Sequence, residues 1–246
     1  MPTFLFFDTE TTGLPSRRSH GQVDQPRIVS IAWATWNSKS LDFDDEYFLV
    51  QPDGFEIPPA ATRVHGISTE EASTNGSPLN HVLRSLCTAV DKANPDMVVA
   101  HNTDFDVPVL QAEFDRLKLR NPLRDKKVIC TMKSTIDFCD LPSHRDTPKW
   151  PKLSELYLKI AGNQPAKKHN ALSDVHTLMS CFMALCEIGF YEVEGLHASD
   201  FRLKKRLIDE QESMLPRYGR VKLMLLAGVI LVHVFGAVCF WIYFRN

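Results

Sequence analysis

Residues 4–10 read FLFFDTE, four consecutive apolar residues running straight into two acids one position apart, Asp8 and Glu10. A short aromatic and aliphatic run of this kind predicts a buried strand. Such a strand does not ordinarily bring carboxylates to an interior, because a buried unpaired charge is costly or takes up a proton. The expectation is therefore a strand that stops on its two acids. On an extended backbone, side chains i and i+2 share a face, so Asp8 and Glu10 project into one space. They repel there unless a cation lies between them. A hard divalent ion such as Mg²⁺ or Mn²⁺ suits the position, since it prefers oxygen ligands and tolerates bound water and phosphate.

The rest of the chain predicts an α/β fold. Strands are expected over 4–8, over 28–36 (IVSIAWATW) and in YFLVQP from Tyr47, which ends at Pro52. A polar loop, SRRSHGQVDQP, separates the first two. Thr69 with Glu70 and Glu71 signals a helix start, and Val82, Leu86 and Val90 give 79–93 helical apolar spacing. PDMVVAHN then reads as a strand entering a turn, followed by a helix from about Asp106 to Leu117, a strand over 127–132, and helices over 154–160 and 171–188. Strands alternating with helices in this way predict a mixed β-sheet flanked by helices. The expected organisation is one main domain over 1–195, a basic linker over 196–222 and a membrane span over 223–244.

Charge is unevenly distributed. Residues 1–200 carry 20 Lys and Arg against 27 Asp and Glu, whereas 201–222 carry 7 against 3. The main domain thus lacks the basic field of many nucleic-acid binders, and a polyanionic partner would require bound cations or a local patch. Six cysteines without a CxxC pair or a zinc-spaced His read as reduced thiols of an intracellular protein, and no secretory leader is visible.

The segment 223–244, LMLLAGVILVHVFGAVCFWIYF, holds no formal charge. At about 1.5 Å per residue it is long enough to cross a ~30 Å hydrocarbon core. Trp241 and Tyr243 stand near one end as interfacial anchors would, and Arg217, Arg220 and Lys222 precede the other. These features predict a single-pass, tail-anchored chain with its main domain facing the cytoplasm and Arg202, Lys204, Lys205 and Arg206 near anionic lipid.

Two more segments carry chemistry. AHNTDFD, residues 100–106, runs from a strand into a turn and a helix, which would present Asp106 beside Asp8 and Glu10 at the strand end. Asp104 reads as a helix cap instead. In HNALSD, residues 169–174, Asp174 falls in the first turns of a helix and His169 in the preceding loop, where an imidazole can accept a proton near neutral pH.

FDTETTGL, HNTDFD and HNALSD, in this order and spacing, resemble the three motifs of the DEDDh family of 3′–5′ exonucleases. VHGIS (64–68) and KLSELYLKIAG (152–162) are similar to stretches between those motifs. The resemblance implies a ribonuclease-H-like fold in which Asp8, Glu10, Asp106 and Asp174 hold two divalent ions, Mg²⁺ or Mn²⁺. It implies His169 as general base, and release of nucleoside 5′-monophosphates from single-stranded DNA or RNA 3′ ends. It also implies substrate contacts from Thr9, Leu14, Ile67, His65 and Asn102, although Leu14 and Ile67 serve equally well as core residues and His65 as a turn residue. Arg17, Arg18, Lys167 and Lys168 are candidate phosphate contacts. Partners expected are a single-stranded 3′ end and membrane lipid, with a homo-oligomer left open. A polymerase-associated proofreader and an inactive nucleic-acid-binding membrane protein are the alternatives.

Overall fold

The structure is a computed structural model that describes residues 2–17, 23–38, 43–143, 147–165 and 170–193. The expected linker and span fall outside those residues, as do His169, Arg18, Lys167 and Lys168. Among the described residues no helix is long and apolar enough to cross a membrane.

The apolar N-terminal run forms β1 (Thr3–Thr11), followed by a short ribbon of β2 (Ser16–Arg17) and β3 (Val23–Asp24), then β4 (Ile28–Asn37) and β5 (Phe43–Leu49). Next come α1 (Pro59–His65), α2 (Thr69–Asn75), α3 (Leu79–Ala93), β6 (Met97–Ala100), α4 (Thr103–Arg116) and β7 (Lys127–Cys130). The short helices α5 (Thr131–Ser134) and α6 (Ile136–Cys139) lead to α7 (Leu153–Ala161) and α8 (Ala171–Glu187).

The main sheet has the order β5-β4-β1-β6-β7. β4 is antiparallel to both β1 and β5, whereas β6 and β7 run parallel to β1, so the sheet is mixed as expected. β1 is central and covered on both faces, which explains its unbroken apolar run. Phe4 and Phe6 pack against Phe182 of α8, with ring centroids 5.1 and 5.5 Å away. Leu5 and Phe7 point the other way, into a core shared with Trp33, Leu83 and Leu86 of α3, and Val109 and Phe114 of α4.

Several expectations need correction. β1 does not stop on its acids but runs on to Thr11, with Asp8 paired to Ala32 and Glu10 to Ser30 before the register shifts. Backbone pairing with β4 is indifferent to side-chain polarity, so the ladder continues while the carboxylates leave from one face. β5 begins at Phe43, earlier than Tyr47, because Asp44, Asp45 and Glu46 lie on an edge strand where acidic side chains reach water. α4 starts at Thr103, and β7 ends at Cys130 where α5 begins. Helix α1 is an addition to the expected elements, although Pro59 at its first position and Gly66 in a left-handed cap (φ 81°) are its start and stop signals.

Candidate active site

Asp8 and Glu10 lie half-buried on the sheet face that carries α8. The first turn of α8 brings Asp174 to the same place, and that turn is fixed by Asn170, whose side-chain oxygen accepts from Ser173 N–H at 2.8 Å. Carboxylate oxygens of Asp8, Glu10 and Asp174 lie within 4.8 Å of one another. Asp106 joins from the opposite side. It is 3% exposed in the first turn of α4, and the Thr9 hydroxyl donates to its Oδ1 at 2.6 Å. Thr9 alternates with its neighbours along β1, so the residue between two acids on one face reaches the acid on the other.

The electrostatics follow from this crowding. Burial holds the Asp8 carboxyl well above the usual carboxylate range, and the charges of Asp106, Asp174 and Glu10 add to the effect. Burial, then Asp174 and Asp106, pushes Glu10 up to about 7. Asp106 also rises to about 7 by burial, against the Thr9 hydrogen bonds that favour its charged form. Four acids in one place cannot all ionise without positive charge among them. Their donor set is oxygen alone, which fits hard divalent cations.

The other expected residues are placed as follows. Leu14 is 83% exposed on the turn after β1. Asn102 caps α4 in a left-handed conformation (φ 80°) without a side-chain cap bond, so Asp104 is not the cap; it pairs with Lys133 at 2.5 Å instead. His65 is buried, and its Nδ1 accepts from Ile67 N–H at 3.1 Å. Burial lowers its pKa. Ile67 is 6% exposed and packs among Val29, Ile57, Ala61 and Ala72. Arg17 is exposed on β2.

Sequence reading missed the residues behind the acids. Ser30 is fully buried directly across the β1–β4 pair from Glu10. A lone hydroxyl inside IVSIAWATW is its signal. Tyr47 of β5 lies close enough for the Glu10 charge to raise its pKa, after burial as the main cause. On α4, Glu113 is 1% exposed and accepts from Ile28 N–H at 2.9 Å while pairing with Arg27 and Arg116, each at 3.0 Å. It ties the helix that carries Asp106 to the start of β4.

A mixed five-stranded sheet flanked by helices, with acids gathered on its central strand, is the architecture of ribonuclease-H-like nucleases. The chain belongs to the exonuclease family, whose model matches residues 5–182. It therefore carries an exonuclease domain, a hydrolase. It is 27% identical to three-prime repair exonuclease 1 of Homo sapiens over 203 residues, which is 73% of this chain but 62% of that relative's length. Among solved structures, the nuclease domain of 3′hExo, a DEDDh family member bound to rAMP, matches with a TM-score of 0.59 at 15% identity, covering 76% of this chain and 93% of that one. E. coli exonuclease I in complex with a dA16 oligonucleotide matches with a TM-score of 0.58 at 19% identity, covering 82% and 43%. At such identities these two structures show the fold.

Proposed function

We propose that this chain is a metal-dependent 3′–5′ exonuclease of the DEDDh type that releases nucleoside 5′-monophosphates from single-stranded DNA, and from RNA if its pocket accepts ribose, while tethered to a membrane by residues 223–244. The observation that carries the chemistry is the approach of Asp8, Glu10 and Asp174 oxygens to within 4.8 Å. Such crowding of acids suits a site for cations and phosphate far better than an empty cavity. The single-stranded substrate is supported by the oligonucleotide that the structural neighbour holds.

Asp8, Glu10, Asp106 and Asp174 are the residues that would hold two divalent ions, Mg²⁺ or Mn²⁺. Bound there, the ions supply the positive charge that neutralises the acids and the scissile phosphate and that acidifies an attacking water. Thr9 orients Asp106 through its hydroxyl. His169, on the resemblance of HNALSD to the third motif, takes the proton of the attacking water. On the same resemblance Thr9 and Asn102 would border the terminal nucleotide, and Leu14, whose side chain is exposed, would wedge against its base. His65 supports the backbone at Ile67 through its Nδ1. The net negative charge of residues 1–200 is then no obstacle, since the ions provide the local attraction.

The deciding experiment is release of mononucleotides from a 3′-labelled oligonucleotide by the full chain, with and without chelator, on matched DNA and RNA. Metal-dependent release that disappears in Asp8→Ala and in His169→Ala is expected. Equal activity in Asp8→Ala would reject the assigned chemistry.

A further inference from the structure

Three of the four tryptophans are Trp33, Trp36 and Trp150, and the structure treats them differently. Trp33 and Trp36 are 1% and 2% exposed in the sheet, whereas Trp150 is 53% exposed. An indole left in water is unusual enough to require an account, and its surroundings supply one.

Trp150 does not sit on a loose tip. The next residue, Pro151, is buried, and its carbonyl accepts from His101 Nε2–H at 2.9 Å. A carbonyl only accepts, so the proton of His101 is on Nε2, and Nδ1 is left to accept from the Thr131 hydroxyl at 2.9 Å. One imidazole thus joins the exit of β6, the start of α5 and the segment before α7. On the far side, Lys152 N–H donates to Glu155 Oε2 at 2.8 Å, and Glu155 also pairs with Lys149. The chain on both sides of Trp150 is therefore tied down.

Its location matters. β6 and β7 run parallel to β1, so their C-terminal ends lie at the same end of the sheet as Asp8 and Glu10. His101 directly follows β6, five residues before Asp106. Trp150 is therefore an exposed aromatic residue on an anchored segment at the acidic end of the sheet, with Lys149 and Lys152 exposed on either side of it.

We propose that Trp150 is a stacking platform for an unpaired nucleobase of the substrate strand, upstream of the nucleotide being removed, with Lys149 and Lys152 beside the adjoining phosphates. This rests on the exonuclease reading above. A nucleobase fits because every base offers a π-face to an indole, and because Lys152, and Lys149 on exchanging its Glu155 partner for a phosphate, match a phosphodiester backbone. The occupant favoured over lipid is the strand, since the His101 link to Pro151 anchors the segment carrying the indole at the end of the sheet where the acids would hold the strand's 3′ end.

The test uses the full chain in detergent with two DNA substrates, a long oligothymidylate and thymidylyl dinucleotide. Trp150→Ala is expected to raise KM for the long strand roughly 5–100-fold, the span of a single base–aromatic stack, with kcat little changed and dinucleotide hydrolysis as in the wild type. In chelator, the long strand is expected to quench indole fluorescence in the wild type and not in Trp150→Phe, which retains part of the affinity. An unchanged long-strand KM in Trp150→Ala, or equal quenching in Trp150→Phe, overturns the platform. So does a blue shift on anionic phospholipid vesicles that Trp150→Phe abolishes, without quenching by the strand, which would assign the indole to lipid. Failure of the wild type to cleave either substrate would instead overturn the exonuclease reading, while the quenching still decides whether Trp150 meets a strand.

Discussion

The Thr9 hydroxyl donates to Asp106 Oδ1 at 2.6 Å, although the two residues are 97 positions apart in the chain. The side chain between the β1 acids thereby orients the acid on α4. Thr9→Val keeps the shape and β-branching but removes the donor. A hydrogen bond to a charged group contributes about 1.5–3 kcal/mol, so kcat on a 3′-labelled oligonucleotide is expected to fall about 10–100-fold. Thr9→Ser, which keeps the hydroxyl, should stay within a few-fold of wild type. Wild-type kcat in Thr9→Val would remove Thr9 from the site.

The raised carboxyl groups make stability depend on pH and metal. Glu10 and Asp106 titrate at about 7 in the folded chain, and Asp8 is also raised. Their unfolded values are near the ordinary 3.8–4.5. A folded pKa above the unfolded one means the contribution to stability is full below the unfolded value and is lost as pH rises through the folded value. In chelator, the melting temperature of the full chain is therefore expected to fall between about pH 5 and pH 8. Mn²⁺ or Mg²⁺ should restore it, with a larger rise at pH 8 than at pH 6. A flat melting temperature across that range, with no metal effect, would mean the acids are not crowded in solution.

A companion expectation concerns Asp8→Asn. It removes one charge from the cluster without removing bulk, so the metal-free variant should melt higher than wild type at pH 8 while losing cleavage. Lower melting together with lost cleavage would point to general damage rather than relief of repulsion.

Much of this is legible in the sequence, and the gaps have physical causes. The mixed sheet, the shared face of Asp8 and Glu10 and the approach of Asp106 follow from local patterns, an apolar run, i/i+2 alternation and an acid in a first turn, whereas Asp174 joins them through the resemblance of HNALSD to a family motif, and the central place of β1 is seen only in the sheet order. The end of β1 is not legible in this way, because side-chain polarity does not stop a strand whose backbone β4 pairs through Glu10. Asp104 has the composition of a cap because acids favour that position, but Lys133, 29 residues away, competes for it. Ile67 has no local feature that foretells its packing; its place among Val29, Ile57, Ala61 and Ala72 comes from α1 and α2 closing over β4. Ser30, Glu113 and His101 escape a reading of the sequence for the same reason, since their partners come from other strands and helices.

Glu113 illustrates how far such support reaches. Its buried carboxylate joins Arg27, Arg116 and the Ile28 amide, and Arg27 in turn stacks over Phe55 at 4.4 Å and exchanges backbone and side-chain hydrogen bonds with Thr12. Removing one partner of a buried pair costs about 3–5 kcal/mol; since Arg27 and Arg116 are 25% and 30% exposed, the lower end applies. Glu113→Ala should shift the urea midpoint of the full chain accordingly, and Glu113→Gln, which can still accept from Ile28 N–H, should cost less. Identical midpoints for the two variants would make the charge, not the amide bond, the whole contribution.

The membrane tether is tested apart from the chemistry. If residues 223–244 span a bilayer, burying that many apolar side chains in hydrocarbon holds the chain against alkaline carbonate, because extraction removes only what is bound through charge or protein contacts. The full chain is expected in the membrane pellet after carbonate treatment, and a chain lacking 221–246 in the supernatant with its oligonucleotide hydrolysis intact, since Asp8, Glu10, Asp106 and Asp174 all lie outside the deleted segment. Replacing Ile230 and Val234 by Arg should likewise release it, as two charges at the middle of the span cost about 5–7 kcal/mol together on the insertion scale. A full-length chain that stays in the supernatant would assign 223–244 to a protein contact and leave the exonuclease reading untouched.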